Sequence, residues 1–303
     1  MRNAFSEEIN KIAKENKKIV VLSGDIGNRL FDKFRKNFPQ RFYNCGIAEA
    51  CMTGVAAGIA HLNLIPITYT IATFNTARCF EQIKLDICYP NLSAIIVGTG
   101  AGLSYASLGS THHSLDDIAL LRTIPNLKIL CPSDPHEVKK LLRDALKIGG
   151  PVYLRLGKKN EPLFKERKKI GKSDIIIKGK TNAIISVGNM LQNAVEVNQE
   201  LNKKRINSAV IDLRYIKPLD NTALKKVFKE YKKIFVLEEH FISGGVGSSI
   251  MEWAKKNKFK SDKIVLCGAE NSFIHSSGNQ YSARDKAGIS VKKIVSKIIK
   301  NQK

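Results

Sequence analysis

Asn44-Cys45-Gly46-Ile47-Ala48-Glu49-Ala50-Cys51-Met52-Thr53-Gly54-Val55-Ala56-Ala57-Gly58-Ile59-Ala60 is the stretch from which the chain is best read. Between Arg41 and Arg78, Glu49 is the only formally charged residue. The small apolar residues after it predict a tightly packed helix. Gly54 and Gly58 each cost such a helix roughly 1 kcal/mol relative to Ala, so close backbone approach is expected there. A carboxylate at the start of a buried helix is expensive unless it is paired or hydrogen-bonded. The free N–H groups and positive dipole end of the helix give some relief. Two readings follow: a capping or salt-bridged structural Glu, or a carboxylate kept buried to handle a proton.

The 303 residues suffice for two domains with their own cores. No run of about 18 apolar residues occurs, so no membrane span is expected. Arg2, Glu7, Glu8 and Lys11 precede any apolar run, which argues against a signal peptide. Cys45, Cys51, Cys79, Cys88, Cys131 and Cys267 form no C-x-x-C pair and no zinc spacing. They read as reduced thiols of a cytoplasmic protein, and no metal site is expected within the chain. The net charge of +23 invites a nucleic-acid reading. Its lysines are scattered over every expected surface helix, without aromatic interleaving, so no nucleic-acid partner is expected.

Outward from Glu49, short apolar runs alternate with amphipathic segments. Strands are expected at 19–22, 41–44, 65–71, 94–98, 128–131 and 152–156. Helices are expected at 3–16, 31–38, from 49 onward, and at 74–89, 116–122 and 134–148. A second set follows, with strands at 183–187, 208–213, 233–239 and 264–268. Its helices are expected at 190–203, 220–231, from 247 to 256, and at 290–300. The fold class is α/β, with two domains, each a mainly parallel sheet covered by helices. Their bounds are 1–160 and 181–303, joined by a Lys- and Gly-rich linker over 161–180. Asp25 follows the first strand, where open α/β sheets place ligands, although a turn-forming Asp is an equal reading. The uncharged loop from Thr99 to Ser114 is long enough to expect a function. Ser243-Gly244-Gly245-Val246-Gly247 lacks a complete phosphate-binding pattern and reads as tight helix–strand packing.

Five ordered motifs carry a resemblance. They are Gly46-Ile47-Ala48-Glu49, Thr73-Phe74, Gly109-Ser110-Thr111-His112, Asp212-Leu213-Arg214-Tyr215-Ile216-Lys217-Pro218-Leu219-Asp220, and Glu238-Glu239-His240 running on to Ser248. The chain resembles the C-terminal half of the transketolase and 1-deoxyxylulose-5-phosphate synthase family, that is, its pyrimidine-binding and C-terminal domains. The resemblance implies thiamine diphosphate, with Glu49 bonding N1′ of the aminopyrimidine, Phe74 and Phe80 walling the ring, and Asp25 nearby. It implies that His112 is an active-site proton-transfer or oxygen-contacting group, that His113 is its neighbour at the substrate, and that Arg155 contacts a substrate phosphate. No Gly-Asp-Gly…Asn motif for magnesium and diphosphate occurs. The resemblance therefore implies a partner chain carrying that half, in an α2β2 heterotetramer with sites at subunit interfaces. The implied activity is transfer of a two-carbon ketol unit between sugars or sugar phosphates. Leu108 stands where relatives acting on sugar phosphates carry an Asp, and Gly100-Ala101 lacks their basic contact. A decarboxylating synthase or a dehydrogenase β-type subunit is thus the alternative, followed by a non-catalytic assembly subunit.

Overall fold

The computed structural model describes residues 1–27, 29–158, 161–164, 167–275 and 278–301. The first sheet holds β1 (Ile19–Ser23), β2 (Phe42–Asn44), β3 (Ile65–Ile71), β4 (Ile95–Thr99), β5 (Lys128–Leu130) and β6 (Val152–Leu156). These run parallel in the order β2-β1-β3-β4-β6-β5. The strands are apolar throughout because both faces are covered. Ile19 and Val21 face the helices Arg2–Glu15 and Pro135–Ile148 through Phe5, Ile9, Leu141 and Leu142. Val20 and Leu22 face Met52 and Ala56 of the helix Glu49–His61.

The second sheet holds β7 (Lys168–Ile170), β8 (Ser173–Ile177), β9 (Asn182–Val187) and β10 (Ser208–Leu213). A short β11 (Tyr215–Lys217) precedes β12 (Lys233–Phe241) and β13 (Ile264–Ala269). The sheet order is β13-β12-β9-β10-β8-β7. β9, β10, β12 and β13 are parallel, and the β7–β8 hairpin adds on antiparallel.

Four expectations are corrected. The stretch 161–180, read as a linker, carries the β7–β8 hairpin and belongs largely to the second sheet; residues 159–160 and 165–166 lie outside the described residues. β11, unexpected from sequence, leaves the second domain and pairs antiparallel with β5, placing Tyr215 opposite Leu130. The helix expected at 74–89 starts only at Ala77 and passes through 3₁₀, α and π geometry. Its first residues are held otherwise: Asn75 Nδ2 donates to the Thr68 and Val97 carbonyls, and Thr76 Oγ1 donates to the Ala72 carbonyl. Finally, no atom of this chain lies within 4 Å of a Cβ built on Gly54 or Gly58. The helix buries Met52, Thr53, Ala56, Ala57 and Ala60 instead.

One apolar cluster runs through both domains, joining Ile83, Ile87 and Ile129 to Ile185, Ile211 and Val236. The two sheets are therefore packed together through a shared core as well as through the strand exchange at β11.

Candidate functional site

In the first sheet β2 lies on one side of β1 and β3 on the other. The chain reverses its lateral direction there, and such a switch point opens a crevice at the carboxyl ends of the strands. Segments following β1, β2 and β3 meet in it. Glu49 opens the helix after β2 and is 3 % exposed. Gly24, just after β1, lies so close that a Cβ there would meet Thr70 Cβ and Oγ1 at 3.0 Å and Glu49 Cγ at 3.3 Å. Gly24 is thus required by close approach. The Thr70 hydroxyl is buried without a hydrogen-bond partner among the described residues.

The one salt bridge of Glu49 among the described residues runs from Arg78 Nη1 to its Oε2, at 3.1 Å. The same guanidinium lies 4.0 Å above the centroid of the Phe74 ring. Phe74 in turn meets His112 edge-on, with ring centroids 5.1 Å apart. His112 Nδ1 is 2.9 Å from Thr111 Oγ1. Burial, with the charges of Arg78 and Lys158 adding, lowers the His112 pKa below the ordinary imidazole value. Its neutral form is thereby favoured near neutral pH. Glu49, Phe74 and His112 are brought together, as expected.

Asp25 sits at the rim, exposed, with a left-handed φ of 54°. Asn44 fixes this turn: its Nδ2 donates to Asp25 Oδ1, and its Oδ1 accepts from the Asp25 and Gly46 backbone N–H groups. Phe80 is half-buried against the main core, and no ring contact joins it to Phe74 among the described residues. His113 is buried; burial lowers its pKa, partly offset by a hydrogen bond to the Ala106 backbone. Its Nε2 has no partner among the described residues.

Arg155 is a correction. It is buried, and its Nε and Nη2 bind both carboxylate oxygens of Asp117 at 2.7 and 3.1 Å. Nη2 also reaches the Ser114 and Glu239 carbonyls. A guanidinium committed to a buried carboxylate and two carbonyls is a structural tie between the Ser114 loop and β12. It is not poised for a substrate phosphate.

Among the described residues, no three His, Cys, Asp or Glu side chains converge as a metal site. The site thus offers a buried carboxylate, an aromatic face and a neutral imidazole, but no cradle for a metal diphosphate.

Comparison with known proteins decides the affiliation. The transketolase pyrimidine binding domain matches residues 1–162, and the transketolase C-terminal domain matches residues 171–294. The chain belongs to the transketolase family. It is 33 % identical over 296 residues to one of the two-chain relatives, an apulose-4-phosphate transketolase subunit of Phocaeicola vulgatus, covering 95 % of this chain and 94 % of that protein. A putative transketolase C-terminal section of Methanocaldococcus jannaschii is 31 % identical, covering 90 % and 87 %. The 1-deoxy-D-xylulose-5-phosphate synthase of Bacillus licheniformis is 35 % identical over 89 % of this chain, but only 43 % of that enzyme is covered. Among solved structures, a split-gene transketolase described as an inactive beta4 tetramer superposes with a TM-score of 0.86 at 31 % identity, covering 99 % and 96 %. This chain is therefore a transketolase-like split subunit that spans the pyrimidine-binding and C-terminal domains.

The residues fit that family's cofactor in part. Glu49, Phe74 and the Gly24–Thr70 nest suit the pyrimidine ring of thiamine diphosphate. Nothing among the described residues suits its diphosphate and metal. Arg78 is the site residue that sequence reasoning missed, although it marks the far end of the uncharged stretch containing Glu49.

Proposed function

We propose that this subunit forms the pyrimidine half of a thiamine diphosphate site and transfers a two-carbon ketol unit between sugars or sugar phosphates. A partner chain would hold the diphosphate and magnesium. The observation that carries this reading is Glu49, buried at a helix start beside an aromatic face, where the chain has no metal-binding set of its own among the described residues. When bound, the cofactor supplies a carbanion equivalent and an electron sink. Glu49 accepts a hydrogen bond from the ring nitrogen and keeps it oriented. Phe74 stacks on the ring, with Phe80 behind it. Asp25 lines the rim. His112, with Nδ1 held by Thr111, offers Nε2 for proton transfer at a substrate oxygen, and His113 supports it from the buried side.

The surface around the site supports a missing partner. Ile47 and Leu62 are 78 % and 75 % exposed, and Cys51 and Val55 are exposed on the same helix face as Gly54 and Gly58. Large apolar residues on an open face of this kind mark an association surface. We assign that face to assembly in an α2β2 heterotetramer. The domain bounds follow as 1–160 and 181–303, with the hairpin between them attached to the second. The six cysteines form no disulfide, which supports a cytoplasmic location. No helix among the described residues is long and apolar enough to cross a membrane.

Titration calorimetry with thiamine diphosphate and magnesium tests the split site. Binding is expected only when the partner chain is present; tight binding by this chain alone overturns the reading. Product analysis of the loaded complex then separates chemistries. Ketol transfer from a ketose phosphate without gas release is expected, whereas carbon dioxide released from pyruvate as the sole reaction would make it a decarboxylating enzyme.

A further inference from the structure

The guanidinium of Arg78 makes, within one chain, both contacts that the proposed site reserves for the pyrimidine ring. It is flat, it lies over the Phe74 ring at 4.0 Å, and it donates to Glu49 Oε2 at 3.1 Å. A planar cation stacked on an aromatic face, with an edge N–H aimed at a carboxylate, is a close chemical substitute for an aminopyrimidine. The Arg78 side chain is nevertheless 49 % exposed, while Glu49 is 3 % exposed. What covers the site has room to move, and what it covers is fixed. Arg78 belongs to the 3₁₀ turn Ala77–Cys79, held from behind by buried Asn75, Thr76 and Cys79. Its backbone is therefore anchored while its side chain has solvent to move into.

We propose that Arg78 is a resident occupant of the pyrimidine position. It neutralises Glu49 and covers Phe74 until the cofactor displaces it. This inference rests on the thiamine diphosphate reading. It goes further by naming the residue that competes with the cofactor and by giving a reason for a half-exposed arginine over a buried carboxylate. A split subunit must survive before assembly with its catalytic carboxylate already in place. A displaceable internal cation keeps that carboxylate paired, where an unpaired one would destabilise the fold.

The competition is measurable by calorimetric titration of thiamine diphosphate and magnesium into the complex with the partner chain. Arg78→Ala is expected to tighten binding by about three- to tenfold, the scale of one exposed ion pair plus one cation–π contact. Arg78→Lys keeps the charge without the plane and is expected to fall between Arg78→Ala and wild type. Adding millimolar ethylguanidinium to Arg78→Ala is expected to weaken cofactor binding again, with little effect on wild type. A merely structural arginine would show no such reversal. If wild type binds the cofactor and Arg78→Ala binds it equally or more weakly, Arg78 is a cofactor contact and the competition is overturned. If wild type with its partner binds no cofactor, the underlying site reading fails, and this inference fails with it.

Discussion

Two buried glutamates divide this molecule. Glu49 and Glu239 both lie near the carboxyl ends of parallel strands, and both are almost inaccessible. Glu239 is saturated by its own chain. Arg284 Nε donates to it at 2.6 Å, Gln280 Nε2 donates at 3.0 and 3.1 Å, and Asn189 Nδ2 adds a further bond. Burial alone would raise its pKa, but the Arg284 charge and these bonds together hold it below the usual carboxylate value. Gly102 of the loop after β4 packs directly on it. Glu49 has Arg78, whose side chain is half in solvent. Burial is therefore not the mark of a working carboxylate. The mark is how much of its hydrogen-bonding capacity the chain leaves displaceable.

The contrast breaks or holds on two substitutions. Glu49→Gln is expected to lower turnover of the reconstituted complex by about 10²–10⁴-fold, the range for loss of a positioned proton-handling group. The melting temperature of the free chain should hardly change. Turnover within a few-fold of wild type would make Glu49 structural and the chain a non-catalytic assembly element. Glu239→Ala should do the reverse. Leaving the buried Arg284 unpaired is expected to remove about 3–5 kcal/mol of folding stability, read by denaturant unfolding. A loss below about 1 kcal/mol would show that the Arg284–Gln280–Asn189 cluster is held by something other than this carboxylate.

The same contrast explains what the sequence makes legible. Glu49 stands out because it is a lone charge in an uncharged stretch, and most strands stand out as unbroken apolar runs. β7 and β8 do not, because Lys168-Lys169 and Lys172 give that edge hairpin the composition of a linker. β11 does not, because its partner Leu130 belongs to the other domain's sheet. Arg155 misleads because an arginine at a strand end looks the same whether its anion is a ligand or Asp117. The expectation of close approach at Gly54 and Gly58 is sound in itself. What approaches them is not part of this chain.

Next in size is a pH effect beside Glu239. His240 is buried, its Nε2 accepts from the Ala119 N–H at 3.2 Å, and its Nδ1 lies 2.7 Å from the Phe241 carbonyl. Burial pulls its pKa down to about 4, despite the nearby Asp117 carboxylate. The unfolded chain binds this proton near pH 6.5, at about the free imidazole value. The stabilising contribution of neutral His240 is thus whole above about pH 6.5 and is lost as pH falls toward 4. Glu238, raised by burial to about 7, works the other way: its contribution is whole below about 4.5 and is lost as pH rises through 7. His240→Gln removes one of these opposed slopes. Between about pH 7.5 and 5 this variant should gain about 2 kcal/mol on wild type in denaturant unfolding. A constant difference across that range would mean that the folded protein protonates His240 as readily as the unfolded chain does.

The smallest effect sharpens the contrast most, because its two readouts should move in opposite directions. Gly58 is helical and exposed, and its Cβ would meet no atom of this chain within 4 Å. Gly58→Ala should therefore add up to about 1 kcal/mol to the stability of the isolated chain, the helix-propensity difference. That corresponds to a rise of roughly 2 °C for a chain of this size. On a helix face shared with Ile47, Val55 and Leu62, the same methyl would stand where a partner's backbone is expected to approach. Assembly, followed by sedimentation, should weaken while the isolated chain melts higher. Ordinary damage lowers both, and an uninvolved surface changes only the first. A rise in melting temperature with unchanged assembly would remove Gly58 from the interface and leave the glycines of this helix without a reason.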